Sequence, residues 1–373
     1  MMTSLYLVMM ASLNGLQEIK YKVLSNEIIG SAAKIISLII FIFFGWDLYA
    51  ALGSNLVQDA AILCVSLFFL LKVFPELRKS KFKPVYEKRE INSFAAALFT
   101  NSLLNKYTFQ LDILFLGFFN TMRDVGIYTV ALRLQPLIYL PHYTISTIFG
   151  PLVAELNATG KVEELKELYK TVTKWSFSVS LPVFAILVLF SGEILMIFGK
   201  DFSEGKNLVI IMGSANVIHD LVGLSGNMIM MTGRIRINLY NSIVTAFVNI
   251  ILFPILIYRF GVTGAAWAYF ISVVVMDIIL ISETAFIFQF NPFKKSLYKP
   301  VLAIGSAMFL TYIVKLFINW PSPFLLFLII ILISIYVSAL YLLQFDEEDK
   351  MVINKIQQKT RIRKFFKPKE TKN

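Results

Sequence analysis

The sequence has few of the residues that enzymes use for metal binding, redox chemistry and catalysis. Its 373 residues include one cysteine, Cys64, and two histidines, His142 and His219. One cysteine excludes an intrachain disulfide, and two histidines inside apolar runs do not form a metal-binding motif. The connections between the runs contain no phosphate-binding glycine loop and no paired-carboxylate motif. The sequence therefore predicts a protein that has no cofactor, no metal and no enzymatic activity.

Charged residues are also scarce, at 16% of the chain, whereas hydrophobic residues make up 57%. A soluble domain usually carries about 25% charged and about 45–50% apolar residues. The apolar residues recur in runs such as FSVSLPVFAILVLF, and a helix needs about 20 of them to cross a bilayer. These runs predict an all-α, polytopic transmembrane helical bundle with about eleven spans. The predicted spans are 2–17, 28–45, 49–71, 91–119, 125–153, 175–198, 207–231, 238–258, 261–289, 298–318 and 323–343.

The 35 Lys and Arg residues are divided unevenly between the two sides of the predicted spans. Along alternating connections, 27 of them lie on one side and 4 on the other, and the remaining 4 lie inside spans. Short basic loops stay cytoplasmic, so segment 72–90 and the tail 344–373 are predicted to face the cytoplasm. The net charge of +11 is therefore expected to contact anionic membrane lipids rather than nucleic acid.

Segment 157–175, NATGKVEELKELYKTVTKW, is the second long polar stretch after 72–90. Its apolar residues recur at helical spacing while its acids and lysines fall on other faces. The pattern predicts a short amphipathic helix in the cytoplasmic interface, with a soluble regulatory helix as the alternative.

Polar residues recur at helical spacing inside four of the predicted spans, 91–119, 125–153, 207–231 and 238–258. Such spacing gathers them into one stripe on each helix. Hydrogen bonds between helices would explain any single residue, but four striped helices favour a shared hydrophilic cavity. The stripe residues that we expect to bind substrate are Asn101, Asn105, Gln135, Tyr139, His142, Asn216, Asn227, Asn241 and Asn249.

Among the charged residues inside the predicted spans, Lys106, Asp112 and Arg133 lie in the hairpin formed by the fourth and fifth spans. Asp112 and Arg133 are at similar distances from the turn expected near residue 122, so they should reach similar depth on adjacent helices. We predict that they form an ion pair with a structural or coupling role. Lys106 has no such acid, and a cation inside the membrane suits an anionic group such as a phosphate. Pairing of Lys106 with another protein residue is the alternative.

Four prolines within the spans predict bent helices. A proline inside a helix removes one backbone hydrogen bond and favours a kink. Bent helices are useful in proteins that open a cavity alternately to each side of a membrane, although they are also common in membrane bundles generally. The prolines are Pro136, Pro141, Pro182 and Pro254.

Two segments resemble a known family. DILFLGFFNTMRDVGIYTVALRL (112–134) resembles the seventh-to-eighth-helix signature of polysaccharide exporters in the multidrug/oligosaccharidyl-lipid/polysaccharide superfamily. GNMIMMTGRIRINLYNSIVTAFVNIILFPILIYRFGVTGAAWAYFIS (226–272) resembles the tenth-to-twelfth-helix region of the same family, the Wzx-type polysaccharide or O-antigen flippases. The resemblance covers roughly residues 1–345. It implies a MATE-like architecture, in which two six-helix lobes surround a cleft and an additional helical pair follows.

The resemblance also implies an organisation for this chain, which has about three helices fewer than the family at its start. Residues 1–71 would form a partial N-terminal lobe, 72–90 a cytoplasmic linker, and 91–289 a complete six-helix lobe. Residues 298–343 would form the additional helical pair, and 344–373 a basic cytoplasmic tail. The odd number of spans then places the first residue outside. A truncated gene product, or a chain that needs a partner, would both fit this pattern.

The family activity implied is the flipping of a lipid-linked oligosaccharide on a polyprenyl diphosphate across the cytoplasmic membrane of a prokaryote. Lys106 and Arg133 would then meet phosphate, while the Asn and Tyr stripes meet sugar. The expected partners are the lipid-linked oligosaccharide, membrane lipids and other polysaccharide-assembly membrane proteins. Two alternatives are a cation-coupled drug exporter, for which Asp112, Asp220 and Asp277 are available, and a multipass enzyme of polysaccharide synthesis.

Overall fold

The structure is a computed structural model that describes residues 2–15, 20–21, 24–75, 110–317 and 325–343. In these ranges every regular element is a helix, of α, π or 3₁₀ type, which confirms the predicted all-α class. The chain divides into two compact units, Met1–Arg89 and Glu90–Asn373. All the residues that the sequence predicts to bind substrate belong to the larger unit.

The smaller unit contains three α-helices, α1 (Met2–Gly15), α2 (Ser31–Phe43) and α3 (Asp47–Val73), in its described residues. A π-helical segment, Leu24–Gly30, leads directly into α2. Helix α3 packs against both α1 and α2, and Thr3 Oγ1 donates a hydrogen bond to Asp59 Oδ2 (2.7 Å) between α1 and α3. These helices correspond to the first three predicted spans. Most of the predicted linker 72–90 lies outside the described residues.

The larger unit begins with α4 (Leu111–Phe119), the end of the predicted span 91–119. The turn that follows is closed by a capping box, in which Thr121 and Asp124 accept hydrogen bonds from each other's backbone N–H. This places the turn where the sequence predicts it, near residue 122. The remaining helices are α5 (Met122–Ala158), α6 (Val162–Met196), α7 (Lys206–Val222), α8 (Ser225–Met231), α9 (Ile235–Phe288), α10 (Tyr298–Phe317) and α11 (Leu325–Leu342), with 3₁₀ turns at Lys200–Gly205 and Lys295–Leu297.

Helix α9 is a hairpin of two arms, residues 235–260 and 262–288, that correspond to two predicted spans. Gly261 separates them with φ 57° and ψ −137°, a conformation that favours glycine. Asn241 Nδ2 donates a hydrogen bond to Glu283 Oε2 at 2.7 Å. In a straight helix these residues would be about 63 Å apart, so the arms run antiparallel.

The predicted amphipathic segment 157–175 is helical from Val162, but it is the first part of α6 rather than a separate helix. Leu165 and Tyr169 are buried on its inner face. Its outer face carries ion pairs between residues three apart, such as Lys166–Glu163 at 2.7 Å. At about 1.5 Å per residue, α6 is about 52 Å long and exceeds the hydrocarbon thickness of about 30 Å.

The largest departures from helical geometry in α6 and α9 do not lie at the prolines. The residues with non-helical dihedral angles inside these helices are Phe190, with φ −124° and ψ 17°, and Gly261. Pro182 and Pro254 precede them within the same helices. The breaks are therefore displaced toward the C-terminal side of the residues from which the sequence predicts them.

Seven helices in the described residues are long and apolar enough to span a membrane, or eight if α7 and α8 form one span bent by 47°. The sequence predicts about eleven. Helix α1 is only 14 residues long, and α9 counts once although it folds back on itself. The residues before 110 in the predicted span 91–119 are outside the described part. These three features account for the difference, and the chain is a multi-pass membrane protein.

The close contact between the arms of α9 depends on Gly264. A Cβ atom there would lie 1.9 Å from the carbonyl oxygen of Leu256 on the other arm. We expect Gly264→Ala to lower the apparent thermal midpoint in detergent by about 5 °C, because overpacking costs about 1–3 kcal/mol. The control is Gly305→Ala on α10, where a Cβ would meet nothing within 4 Å. Equal midpoints for the two variants would contradict this packing.

Candidate functional site

The interior of the larger unit contains layers of polar residues contributed by α5, α7 and the second arm of α9. In the first of these layers, Asn216 Nδ2 on α7 donates to Gln135 Oε1 on α5 (3.1 Å), and Tyr269 OH on α9 donates to Asn216 Oδ1 (3.2 Å). Gln135 and Asn216 are 4% and 7% exposed. Two residues of the predicted stripes therefore meet directly, and Tyr269 completes a layer of amide and hydroxyl groups.

A second layer contains two histidine–aspartate pairs. The Nδ1–H of His142 donates to Asp220 Oδ1 at 2.9 Å, and the Nδ1–H of His219 donates to Asp277 Oδ1 at 2.6 Å. Ser176 Oγ on α6 also donates to Asp220 Oδ1, at 3.1 Å. The two imidazole rings lie 5.1 Å apart. Four helices thus contribute to this layer.

Tyr139 connects the second layer to the surface of the larger unit. Its ring stacks on His142 at a centroid distance of 4.8 Å and lies 5.8 Å from His219. Tyr139 is 38% exposed, and the side chain of His219 is 23% exposed. The layer therefore has one partly open edge lined by three rings, while its carboxylates lie behind them.

The two aspartates of this layer keep one oxygen each without a partner. The Oδ2 atoms of Asp220 and Asp277 are buried and accept no hydrogen bond in the described part of the structure. A buried polar atom without a partner costs about 1–3 kcal/mol. We call His142, His219, Asp220, Asp277, Ser176 and Tyr139 the His–Asp layer. Its unused acceptors can bind a water molecule, a proton or a ligand hydroxyl if the helices separate.

The predicted ion pair between Asp112 and Arg133 is wrong. Asp112 is 3% exposed, and its carboxylate accepts hydrogen bonds from Tyr128 OH (2.8 Å) and from the backbone N–H of Ile113 (2.7 Å). Arg133 is on the exposed side of α5. The depth argument compares positions along the helix axis, whereas contact also requires matching faces. Tyr128 lies on the face of α5 that contacts Asp112, whereas Arg133 lies on its exposed face.

The remaining predicted site residues lie away from the two polar layers or outside the described residues. Asn241 pairs with Glu283 inside the α9 hairpin, and Asn249 on the same arm is 7% exposed with an unpartnered Oδ1. Asn227 is half-buried on α8. These three residues do not contact the layers described above by a hydrogen bond within the described ranges. Asn101, Asn105 and Lys106 lie outside the described residues.

The stripes on α5 and α7 face each other rather than an open cavity. Side chains of α5 and α7 hydrogen-bond directly to each other, at the place where the polar stripes predict a hydrophilic groove. Two cavities of about 400 and 440 Å³ lie elsewhere and have almost wholly apolar linings, around Leu302 and Trp267. Within the described residues, the side chains of the two layers are hydrogen-bonded to one another, and the partly open edge lies at Tyr139.

Five residues of the two layers are not among the site residues predicted from the sequence, although the sequence pattern around some of them indicates a polar contact. His219 and Asp220 fall in the predicted stripe of α7, and Asp277 is one of two acids in the predicted span 261–289. Two histidines and two aspartates inside spans indicate mutual pairing, because each would be costly alone in hydrocarbon. Ser176 and Tyr269 carry no comparable signal, since serine and tyrosine are common in membrane helices.

The fold and its polar interior define a multi-pass helical membrane protein. The sequence profile of the polysaccharide biosynthesis protein family matches residues 1–206, more than half of the chain. The chain therefore belongs to the polysaccharide biosynthesis protein family.

Two curated relatives from Haloferax volcanii match the chain. The probable low-salt glycan biosynthesis flippase Agl15 is 22% identical over 211 residues, which are 56% of this chain and 44% of the relative. The probable flippase AglR is 30% identical over 203 residues, 52% of this chain and 40% of the relative. The matched segments thus span less than half the length of these relatives.

A solved structure shares the fold. The lipid II flippase MurJ, in an inward closed conformation, superposes with a TM-score of 0.63 and 16% identity, covering 83% of this chain and 65% of MurJ. At this identity the likeness concerns the arrangement of helices. It agrees with the helical bundle predicted from the two family-like segments.

The pairing of Asp112 with Tyr128 gives a test of the first part of the site. We expect Tyr128→Phe to lower the thermal midpoint in detergent by about 3 °C, because it removes one of the two donors of a buried carboxylate. Arg133→Gln should leave the midpoint unchanged, since Arg133 is exposed and does not pair with Asp112. A fall for Arg133→Gln that matches the fall for Tyr128→Phe would restore the ion pair.

Proposed function

We propose that this chain is a membrane transporter that flips a lipid-linked oligosaccharide on a polyprenyl diphosphate across the cytoplasmic membrane. The family match, the curated relatives named as flippases and the MurJ-like fold all support this function. The proposed process is cell-surface polysaccharide biosynthesis, by alternating access and without an enzymatic step. The proposed partners are the lipid-linked oligosaccharide, membrane lipids and other membrane proteins of polysaccharide assembly.

One observation carries the proposal, the stack of polar layers inside the larger unit. From the Tyr128–Asp112 pair to the His–Asp layer, the buried polar groups along α5 extend over about 21 Å of a hydrocarbon core about 30 Å thick. A sugar diphosphate cannot cross hydrocarbon without hydrogen-bonding groups at successive depths. The layers supply such groups, and the unpartnered oxygens of Asp220 and Asp277 become available when the helices separate.

We assign the cationic residues to the diphosphate and the neutral polar residues to the sugar. Arg133 is exposed and does not pair with Asp112, so its guanidinium is available for a phosphate, which arginine binds in a bidentate manner. Lys106 is the second residue that we propose to bind the diphosphate. The proposed sugar-binding residues are Asn101, Asn105, Gln135, Tyr139, His142, Asn216, Asn227, Asn241 and Asn249.

The proposed orientation follows from the basic residues of the connections, with the C-terminal tail in the cytoplasm of a prokaryote and the transporter in its cytoplasmic (inner) membrane. Residues 1–71 form a partial first lobe in this proposal, and 72–90 a cytoplasmic linker. Residues 91–289 form the six-helix lobe, followed by the additional pair 298–343 and the basic tail 344–373. This assignment follows the two family-like segments and the distribution of charge.

A cation-coupled exporter of the same superfamily is the second candidate function. The observation that favours it is the buried acidic groups of the larger unit, Asp112, Asp220 and Asp277, two of which keep an unpartnered oxygen. Such carboxylates are suitable for binding a cation or a proton. Efflux of a cationic dye from proteoliposomes, driven by a proton or sodium gradient, separates this function from flipping of a lipid-linked sugar.

The proposed function is tested by substituting the two cations. We expect Lys106→Ala and Arg133→Ala each to reduce flipping of a polyprenyl-diphosphate oligosaccharide in proteoliposomes at least about tenfold, because each loses a charge-assisted contact worth about 1.5–3 kcal/mol. Accessibility of the sugar to an added glycosidase measures the flipping.

Arg259→Ala is the matched control, because Arg259 is an exposed arginine at the turn between the two arms of α9. It should flip at the parental rate. Equal rates for parent, Lys106→Ala and Arg133→Ala at equal protein levels would remove both residues from the proposed phosphate site.

A further inference from the structure

Pro182 leaves one backbone carbonyl of α6 without its helical donor. Proline has no N–H, so the carbonyl oxygen of Ser178, four residues earlier, receives no hydrogen bond along the helix. Tyr336 on α11 donates its hydroxyl to this oxygen at 2.6 Å. Tyr336 is 4% exposed. A side chain of a neighbouring helix thus satisfies the group that the proline releases.

Lys315 on α10 makes a second contact of this kind, at the break in α6. The backbone of α6 leaves helical dihedral angles at Phe190. Lys315 Nζ donates to the carbonyl oxygen of the preceding residue, Leu189, at 2.7 Å and forms an ion pair with Glu193 Oε1 at 2.6 Å. Its ammonium also lies 4.9 Å from the centre of the Phe190 ring.

The two contacts hold α6 at two heights and come from two different helices. Ser178 and Leu189 are about 16 Å apart along α6, and α10 and α11 both pack against α6. Two residues before Ser178, Ser176 donates its hydroxyl to Asp220 in the His–Asp layer. The segment that Tyr336 holds is therefore the segment that carries the α6 contribution to the candidate site.

We propose that α10 and α11 brace the bent helix α6, and that Tyr336 and Lys315 are positioning residues for the His–Asp layer. Each supplies a donor where α6 departs from regular hydrogen bonding, so α6 keeps one bend instead of sampling several. Ser176 then stays within hydrogen-bonding distance of Asp220. The additional helical pair acts on the site through the backbone of α6 rather than by touching a substrate.

A double-mutant cycle between Tyr336 and Pro182 tests the brace. Tyr336→Phe in the parent leaves a buried carbonyl without a donor, and we expect the apparent thermal midpoint in detergent to fall by about 2 °C. Pro182→Ala supplies a backbone N–H for Ser178. In that background the Ser178 carbonyl keeps a donor when Tyr336→Phe removes the hydroxyl, so the midpoint should fall less than in the parent.

The exposed Tyr341 on the same helix provides the matched control. Tyr341→Phe should leave the midpoint unchanged in both backgrounds. An equal fall for Tyr336→Phe in both backgrounds would overturn the brace, because the effect would not depend on the carbonyl that the proline releases. The cycle uses purified full-length chain and no substrate, so its result is independent of the proposed function.

The bend of α6 is measured directly with spin labels at Val162 and Met196, the first and last residues of the helix, in a Cys64→Ser background. A straight helix of this length would separate them by about 51 Å. We expect Tyr336→Phe combined with Lys315→Met to broaden the distance distribution toward that value. Ser176→Ala, which leaves both brace contacts in place, should not change the distribution. An unchanged distribution in the doubly substituted protein would overturn the proposal without reference to its thermal stability.

Discussion

The constraint on which the structure depends is that a polar group in hydrocarbon must have a partner. Water is absent there, so every amide, carboxylate and released carbonyl must be satisfied by another part of the protein. The larger unit meets most of this constraint by placing polar side chains of different helices at matching depth, while Asp220, Asp277 and Asn249 each keep one buried oxygen without a partner in the described residues. Its helices are therefore held together by hydrogen bonds at defined heights in addition to close packing.

This arrangement explains why the polar residues occur in stripes. A stripe on α5 alone would face lipid at a cost of several kcal/mol, but α7 and the second arm of α9 carry matching stripes. Because contacts such as Gln135–Asn216 and His142–Asp220 advance together along the chain, α5 and α7 run in the same direction. The α9 hairpin brings Asp277 to the depth of His219 by reversing the chain at Gly261.

The sequence was sufficient to predict the elements whose signal is local. Long apolar runs located the helices, Thr121 and Asp124 form the turn expected near residue 122, and the RFG turn separates two antiparallel arms. Contacts that depend on the orientation of each helix about its own axis were harder to predict. Asp112 and Arg133 were expected at comparable depth, yet Asp112 pairs with Tyr128, five residues nearer the turn. A helix turns by 100° per residue, so a shift of five residues changes both the depth and the face of the partner. The position of the break at Phe190 also depends on neighbouring helices that no local pattern reports.

Polar groups of the larger unit are satisfied either by hydrogen bonds between two side chains or by a side chain that donates to a backbone carbonyl. These two kinds of contact differ in how easily they break. A hydrogen bond between side chains in a membrane interior contributes only about 0.6 kcal/mol on average, because its partners find substitutes when they separate. The layers of α5, α7 and α9 consist of such bonds, so a polar ligand that enters between the helices can replace them at small cost. The carbonyl of Ser178 has no such substitute along the helix, since Pro182 has no backbone N–H to donate. The hydrogen bonds of the interior layers can therefore break when the helices separate. The contacts of α10 and α11 with α6 are suited to remain intact during that separation.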